Sequence, residues 1–504
     1  MKKIAAILLV LATVTAFIFA NGATEDDRIF FENMVRNSSQ QSVAANTMNS
    51  SRTTTGSEII SRDMATLERL YQYVEKNFLF DIDYEAVYEA MATALFEALD
   101  DKYSYYVTAE DSGDYAEEVS GQYGGLGIYF SKTYLSYQDP DDEQTLYAVI
   151  SQVFPGTPCA RAGLRSGDMI IEIAGESVVP LEATECAKLM KGEAGTSVQI
   201  KVKRGDNIFT LDLVREIITV PTVEYDMIDG KTAYLRILEI SKNTYPSITE
   251  ALTKLSDQGM QKLIIDLRDN SGGDVDVTLQ ILDLFISGSQ LIKINYKDTS
   301  RNLTYVANNG TLVSPDVEVA ILVNGGTASS AELFSASMRE NNRAVIFGTT
   351  TYGKGIMQIV SSFGTGYTSI TTASFTGPTG EPIHKEGVKP DFEVEAVTVS
   401  DDEVDAYTEL MNSGDIKTFV NENPDYNDAN LRKFASQKAD SGLREEVLIL
   451  LVRNEYLSRM NYDDRPLGDI TYDVVCKAAY DYLQTYEASY ATSTSDSNRV
   501  VVNF

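Results

Sequence analysis

The sequence predicts a multidomain α/β protein, helical at both ends, with a β-rich module and an α/β core between them. Three observations carry this reading. Leu263-Ile-Ile-Asp-Leu267 and Val319-Ala-Ile-Leu-Val323 are short apolar runs, each leading through glycine into a helical stretch, as strands buried on both faces do. Before them lie four short segments of strand type, Leu146–Val153, Met169–Ile173, Val198–Val202 and Phe209–Val214. Outside these two regions the apolar residues recur at helical spacing or the chain turns acidic and helical.

Taken in order, Met1-Lys2-Lys3 precedes an apolar run, Ile4 to Ala20, closed by Asn21-Gly22. A charged start, a short apolar stretch and small residues form a secretory signal, so residues 1–22 are expected to be a leader cleaved after Ala20 or Gly22. No cysteine follows, so a lipoprotein anchor is unsupported; the alternative is an uncleaved membrane anchor. Residues 23–57 are expected to be a linker, because the Ser, Thr, Asn and Gln of 37–57 bury too little surface to offset ordering entropy. Residues 58–118 are expected to be helical: Ile59, Ile60, Met64, Leu67, Leu70, Tyr71 and Val74 recur at three- and four-residue steps, as do Val87, Ala90, Met91, Ala94, Leu95 and Leu99. Residues 119–216 form the β-rich module, with short helices near Pro158–Ala162 and Leu181–Met190. The α/β core covers 217–399. Residues 400–504 are helical, with the last dozen frayed.

The chain has 504 residues and a formal net charge of −32. Acidic residues spread throughout disfavour nucleic acid and anionic membrane as partners, and favour neutral or basic substrates. Cys159, Cys186 and Cys476 are neither a disulfide framework nor a zinc site, although one disulfide is compatible with them. The lone histidine, His384, excludes a multi-histidine metal centre, and a Ser–His–Asp or Cys–His mechanism would have to use it. It sits in the turn-rich, polar stretch Pro382–Pro390.

Three segments can carry chemistry. Val323-Asn-Gly-Gly-Thr-Ala-Ser-Ser-Ala-Glu332 ends a strand, turns on two glycines and opens a helix to about Arg339. A serine at such a helix start lies at a sheet's C-terminal edge, where unpaired backbone N–H groups face a developing oxyanion. An ordinary N-cap is the plain alternative. Thr350–Gln358 follows the strand Ala344–Phe347 and holds Lys354 between Gly353 and Gly355. A free lysine with a pKa of ~10.4 is about 99.9% protonated at neutral pH and useless as a base. Desolvation between glycines would disfavour the ammonium and let a neutral amine take a serine proton; a solvated loop lysine is the alternative. Leu263–Asp274 runs a buried strand into a glycine turn whose N–H groups suit an oxyanion hole, with Asp266 and Arg268 as a structural pair.

Together these segments resemble the carboxyl-terminal processing proteases, or tail-specific proteases, a family of serine peptidases. The resemblance rests on Leu267-Arg-Asp-Asn-Ser-Gly-Gly273, Asn324–Glu332 and Tyr352-Gly-Lys-Gly355. It implies that Ser329, not Ser330, is the nucleophile, with Lys354, 25 residues on, as general base and Gln358 supporting it. The oxyanion donors implied are the backbone N–H groups of Ser330 and of the Gly272-Gly273 turn, the choice of glycine staying open. No metal or other cofactor is implied, and no phosphate loop suggests ATP. Ser330-Ala331 replaces the alanine and serine of many members, so two adjacent serines compete for the role. Lys102, in Asp101-Lys-Tyr-Ser104, stands where the family often carries proline. Tyr123 to about Arg204 resembles a PDZ domain of the bacterial protease type. Gly125, Leu126, Gly127 and Ile128 fall on its carboxylate-binding loop, and Ala162-Gly-Leu…Gly-Asp168 on its usual turn. Such a groove adds a peptide strand to its sheet edge and holds a terminal carboxylate.

The resemblance implies an exported serine endopeptidase of the periplasm, cell envelope or exterior, acting on protein substrates with free C-terminal tails. Membrane association would come through an uncleaved leader; an oligomer is compatible with the sequence. Two other readings are a catalytically silent PDZ scaffold or adaptor of the envelope, and an esterase or amidase for small substrates using the same dyad.

Overall fold

The computed structural model describes residues 56–109, 111, 122–140, 142–308, 310–364, 366–460 and 464–492. The expected leader, nearly all of the expected linker and the last dozen residues lie outside these. The chain divides into two units, residues 1–88 and 89–504. In the first, helix α1 (Gly56–Asn77) leaves Met64, Leu67, Leu70 and Val74 exposed along one stripe. Helix α2 (Tyr84–Glu97) crosses the division. No helix among the described residues is long and apolar enough to cross a membrane.

The second unit departs early from the expected helical stretch. Helix α2 stops at Glu97, and Tyr105–Val107 forms strand β1. Two aromatics and a β-branched residue suit a pleated, half-buried surface, and β1 finds a partner more than 250 residues away.

The β-rich module begins with β2 (Gln122–Gly125), β3 (Ile128–Ser131), β4 (Ala148–Val153), β5 (Met169–Ile173) and short β6 (Glu176–Ser177). Helix α3 (Ala183–Met190), β7 (Ser197–Arg204), β8 (Asn207–Val214) and β9 (Glu216–Thr219) complete it. Its sheet runs β3-β4-β5-β7-β8 with β6 on β5, while β2 and β9 pair as a separate ribbon. β4 shows why alternation reads as strand: Ala148 and Ile150 are buried and their neighbours are half-buried. Strand β3 is an edge.

The α/β core follows as β10 (Val223–Met227), β11 (Thr232–Ile237), α4 (Thr244–Asp257), β12 (Lys262–Asp266), α5 (Val275–Asp283), β13 (Gln290–Tyr296), β14 (Leu303–Val306) and β15 (Glu318–Val323). Then come α6 (Ser330–Glu340), β16 (Val345–Gly348), β17 (Ile356–Phe363), β18 (Gly366–Thr376) and β19 (Phe392–Glu393). The central sheet has the order β10-β11-β12-β15-β16-β19, parallel except for β10. Leu263, Ile265, Ile321 and Val323 point to one face, against residues of α4, α5 and α6. Ile264, Ala320 and Leu322 point to the other. Burial on both faces is why these strands read as continuous apolar runs. A second sheet, β1-β18-β13-β14, carries β17 on β18.

The C-terminal helices are α7 (Val404–Ser413), α8 (Asp415–Glu422), α9 (Asp428–Gln437), α10 (Glu445–Arg459) and α11 (Val474–Thr492). Helices α7 to α10 pack on their own core, which includes Phe419, Leu431, Phe434 and Val452. Helix α11 instead covers the second face of the central sheet, through Val475, Cys476, Ala479 and Leu483. An ionic clasp holds it there. Arg268, largely buried at the end of β12, donates to Asp266 Oδ2 and to Asp473 Oδ2, each at 2.6 Å, and Tyr234 Oη donates to the same Asp266 oxygen. Removing one partner of a buried ion cluster leaves the others uncompensated, so Arg268→Ala is expected to cost about 3 kcal/mol. Urea denaturation measures this, and limited proteolysis should cut first ahead of α11; an unchanged midpoint would refute the clasp.

Candidate active site

The serine segment follows β15 as a strand–turn–helix. Asn324 organises the turn: its Oδ1 accepts from the N–H groups of Gly326 and Asp269, and its Nδ2 donates to Asp269 Oδ1. Thr327 Oγ1 donates to the Leu267 carbonyl, tying the turn to the end of β12. Ser329 precedes α6 with φ 56° and ψ −122°. A non-glycine residue held there costs on the order of 1–3 kcal/mol and persists only where its surroundings over-determine it. Its neighbour Ser330 is fully buried, and the Ser330 hydroxyl meets no hydrogen-bond partner.

The glycine turn lies against this serine. A Cβ on Gly272 would come within 2.8 Å of Ser329 Cβ and of Ser330 N, so only glycine fits. A Cβ on Gly273 would strike the Ile240 carbonyl oxygen. Asn270, fully buried, fastens the two segments: its Nδ2 donates to the Ile237 carbonyl, and its own carbonyl accepts from Ala328 N–H. Asn270 Oδ1 also accepts from Gly272 N–H at 2.8 Å. The Gly272 N–H is thus occupied, whereas those of Gly273 and Ser330 meet no acceptor among the described residues. Gly273 bridges Ile240 in parallel register, so its own N–H points away from that neighbour.

The lysine loop joins β16 to β17 and closes on the serine through Glu332. This carboxylate, fully buried one turn into α6, accepts on Oε2 from Ser329 N–H at 2.9 Å and from Lys354 N–H at 2.8 Å. On Oε1 it accepts from Gly353 N–H at 2.7 Å and Thr351 Oγ1 at 2.5 Å. Tyr352 N–H adds a bond to the Thr327 carbonyl. The backbones of Ser329 and Lys354 therefore meet on a single oxygen atom.

Lys354 is half-buried, and that burial lowers its pKa; Tyr352, Asp101 and Glu332 raise it, and Lys102 lowers it further. Its Nζ lies 4.7 Å from the centre of the Tyr103 ring. Tyr103 belongs to a segment stitched to β18: Ser104 Oγ accepts from Thr371 N–H and donates to Asp101 Oδ2, and Ser369 Oγ donates to the Tyr103 carbonyl. Gln358 Nε2 donates to Thr371 Oγ1 at 3.0 Å, so Gln358 joins this network, and it makes no hydrogen bond to Lys354. His384 packs its backbone where a Cβ on Gly355 would fall, and its buried Nδ1 has no hydrogen-bond partner.

Of the residues assigned to the carboxylate-binding loop, Gly125 belongs to β2 and pairs with Glu216 of β9, and Ile128 begins β3. Leu126 and Gly127 form the turn between them. Their carbonyls accept from the N–H groups of Cys159 and Phe154, while their own N–H groups meet no acceptor among the described residues. Gly127 has φ 81°, and a Cβ there would strike the Thr157 side chain. Cys159, Cys186 and Cys476 are free and buried.

Glu332, Thr351 and Asn270 were not singled out as site residues from sequence. Ser329-x-x-Glu332 is a capping-box spacing, which could have drawn attention to Glu332. Tyr103 carried no signal, being 251 residues from the lysine it covers.

Residues 231–394 match the peptidase family S41, and residues 149–204 match the PDZ domain. The carboxy-terminal processing protease CtpA of Bacillus subtilis is 29% identical over 332 residues, 65% of this chain and 68% of that protein. A probable CtpA-like serine protease of Staphylococcus aureus is also 29% identical, over 65% of this chain and 64% of its own length. The solved photosystem II D1 C-terminal processing protease aligns with a TM-score of 0.39 at 24% identity, covering 65% of this chain and 86% of that one.

The carboxylate of Glu332 meets four donors, and an amide would turn its NH₂ toward some of them. Glu332→Gln is therefore expected to lose about 3 kcal/mol by leaving buried N–H groups unpaired. Calorimetric melting checks this; a midpoint equal to that of the unaltered chain would show that the carboxylate does not hold the two loops.

Proposed function

We propose that the chain is a carboxyl-terminal processing serine protease of the S41 peptidase family with a PDZ domain, with Ser329 its nucleophile and Lys354 its general base. The observation that carries this is the shared Glu332 oxygen, which brings the serine and lysine backbones to one point. Ser329 Oγ attacks the scissile carbonyl carbon as the neutral Lys354 amine takes its proton. The carbonyl oxygen becomes an oxyanion facing the N–H groups of Ser330 and Gly273, the two left without acceptors. Lys354 returns the proton to the leaving amine, the C–N bond breaks, and an acyl-enzyme remains. Water, deprotonated by Lys354, then hydrolyses the ester and frees Ser329. Gly273 is preferred to Gly272 because Asn270 already takes the Gly272 N–H. Ser330 is a poor rival nucleophile, since its hydroxyl is enclosed and meets no hydrogen-bond partner. Gln358 acts at one remove, through Thr371.

The substrates proposed are proteins with free C-terminal tails. Edge strand β3 offers a strand-pairing partner, and the free N–H groups of Leu126 and Gly127 suit a terminal carboxylate. Export through the apolar N-terminal segment and an extracytoplasmic location belong to the same proposal.

Ser329→Ala and Lys354→Ala should each reduce proteolysis of an unfolded protein at least about 10⁴-fold, with no further loss in the double variant. Ser330→Ala should retain activity, since it removes a hydroxyl with no partner. Full activity in Ser329→Ala would move the nucleophile elsewhere, and an inert unaltered chain would favour the scaffold reading. Amidating the C-terminus of a tailed substrate should slow its cleavage while leaving short internal peptides unaffected. Gly127→Val should reproduce that selective loss, by strain at positive φ and collision with Thr157. Equal rates on free and amidated tails would remove the tail-reading role and leave the protease assignment intact.

A further inference from the structure

The base proposed above faces an unusual neighbour. Lys102 Nζ lies 4.9 Å from the centre of the Tyr103 ring, the same ring that Lys354 Nζ approaches to 4.7 Å. The two amino groups are therefore separated by about 10 Å at most. Lys102 is pinned by a 2.5 Å hydrogen bond to the hydroxyl of Tyr352, two residues before Lys354, and sits 5.2 Å from that ring's centre. Its backbone is fixed too, because the residues after it are stitched to β18 through Tyr103 and Ser104.

We infer that Lys102 is a positioning residue for catalysis: its ammonium, sharing the Tyr103 ring with Lys354, disfavours a second positive charge there and holds Lys354 as the neutral base. This rests on the assignment of Lys354 as base. One aromatic face attracts either cation, but two like charges beside it oppose each other. The two lysines are not equivalent. Lys102 keeps its proton, since its hydrogen bond to the Tyr352 hydroxyl raises its pKa, while burial lowers that of Lys354. Pairs of titratable groups driven apart in this way divide the acid and base roles.

The other groups facing Lys354 do not supply this effect. Asp101 and Glu332 favour its ammonium, as would a Tyr352 phenolate. Asp101 is restrained by its own bonds: burial pushes its carboxyl up, but hydrogen bonds from Thr371 and Ser104 prevail and hold it low. His384 lies near enough to Asp101 to lower it further. Lys102 is the cation among the groups named above as acting on Lys354.

The test is the pH dependence of kcat/KM for a short chromogenic peptide, using the full chain and its Lys102→Arg, Lys102→Met and Lys102→Glu variants. A neutral amine is required, so rate rises with pH through the Lys354 pKa. Removing the neighbouring charge raises that pKa and moves the acidic limb to higher pH. On that limb Lys102→Met should lose about threefold and Lys102→Glu more, with Lys102→Arg close to the unaltered chain. The loss should shrink toward the alkaline plateau and largely vanish in 1 M NaCl, where exposed charges are screened within about 3 Å. Superimposable acidic limbs, or a loss equal at every pH and salt, would overturn the inference. Failure of the base assignment looks different: Lys354→Ala would keep an acidic limb, or His384→Gln would abolish it.

Discussion

A buried carboxylate that accepts hydrogen bonds from both the serine and the lysine segments is the constraint on which the candidate site depends. Taking Glu332 out of water costs several kcal/mol, and that cost is offset only if its lone pairs are filled. They are filled by Ser329 N–H, Lys354 N–H, Gly353 N–H and Thr351 Oγ1. Moving either loop would uncover part of a charge in a dry interior. The approach of the Ser329 and Lys354 backbones is thus a by-product of the need to satisfy one anion.

The strain at Ser329 has the same explanation. Its positive φ is held from three sides: Glu332 on its own N–H, the Asn270 carbonyl on Ala328 N–H, and Gly272 against its Cβ. The first contact comes from the start of α6 and the other two from the turn after β12, next to the central sheet. That sheet is stiff because both faces are covered, by α4, α5 and α6 on one side and by α11 on the other. Helix α11 arrives from the far end of the sequence and is clasped by Arg268, which sits two residues before Asn270. A C-terminal helix therefore braces the strand from which the glycine turn springs.

Much of this was legible in the sequence, for physical reasons that differ by element. Strands buried on both faces, such as β12 and β15, must be apolar throughout, so their runs stood out. Ser329, Lys354 and the glycine pair were singled out by the motifs that carry the family resemblance, Asn324–Glu332, Tyr352–Gly355 and Leu267–Gly273. The Arg268–Asp266 pair was readable from local spacing, but its second partner, Asp473, was not, because nothing local links residues 205 apart. The expected helical stretch overran into β1 for a similar reason. Tyr105–Val107 is a strand only because β18 is there to receive it. Which glycine N–H stays free depended on the rotamer of Asn270, a side chain that sequence does not orient. The covering of Lys354 by Tyr103 was hidden by the same distance in sequence.

The proposed role of Lys354 as base, beside a buried anion, poses an electrostatic contradiction, since Glu332 favours the ammonium that such a role needs deprotonated. The resolution lies in where its charge is spent. Glu332 occupies the first turn of α6, where the helix end presents partial positive charge to a carboxylate. Its four donors draw further on the same oxygens, so the field reaching the Lys354 amine is that of a compensated anion. Burial of the amine outranks Glu332 among the influences on Lys354. The backbone N–H of Lys354, rather than its side chain, donates the hydrogen bond to Glu332. Had the side chain donated it, the ammonium would be locked in place and unable to serve as the proposed base. Holding the lysine by its backbone lets one carboxylate position the proposed base without fixing its ammonium.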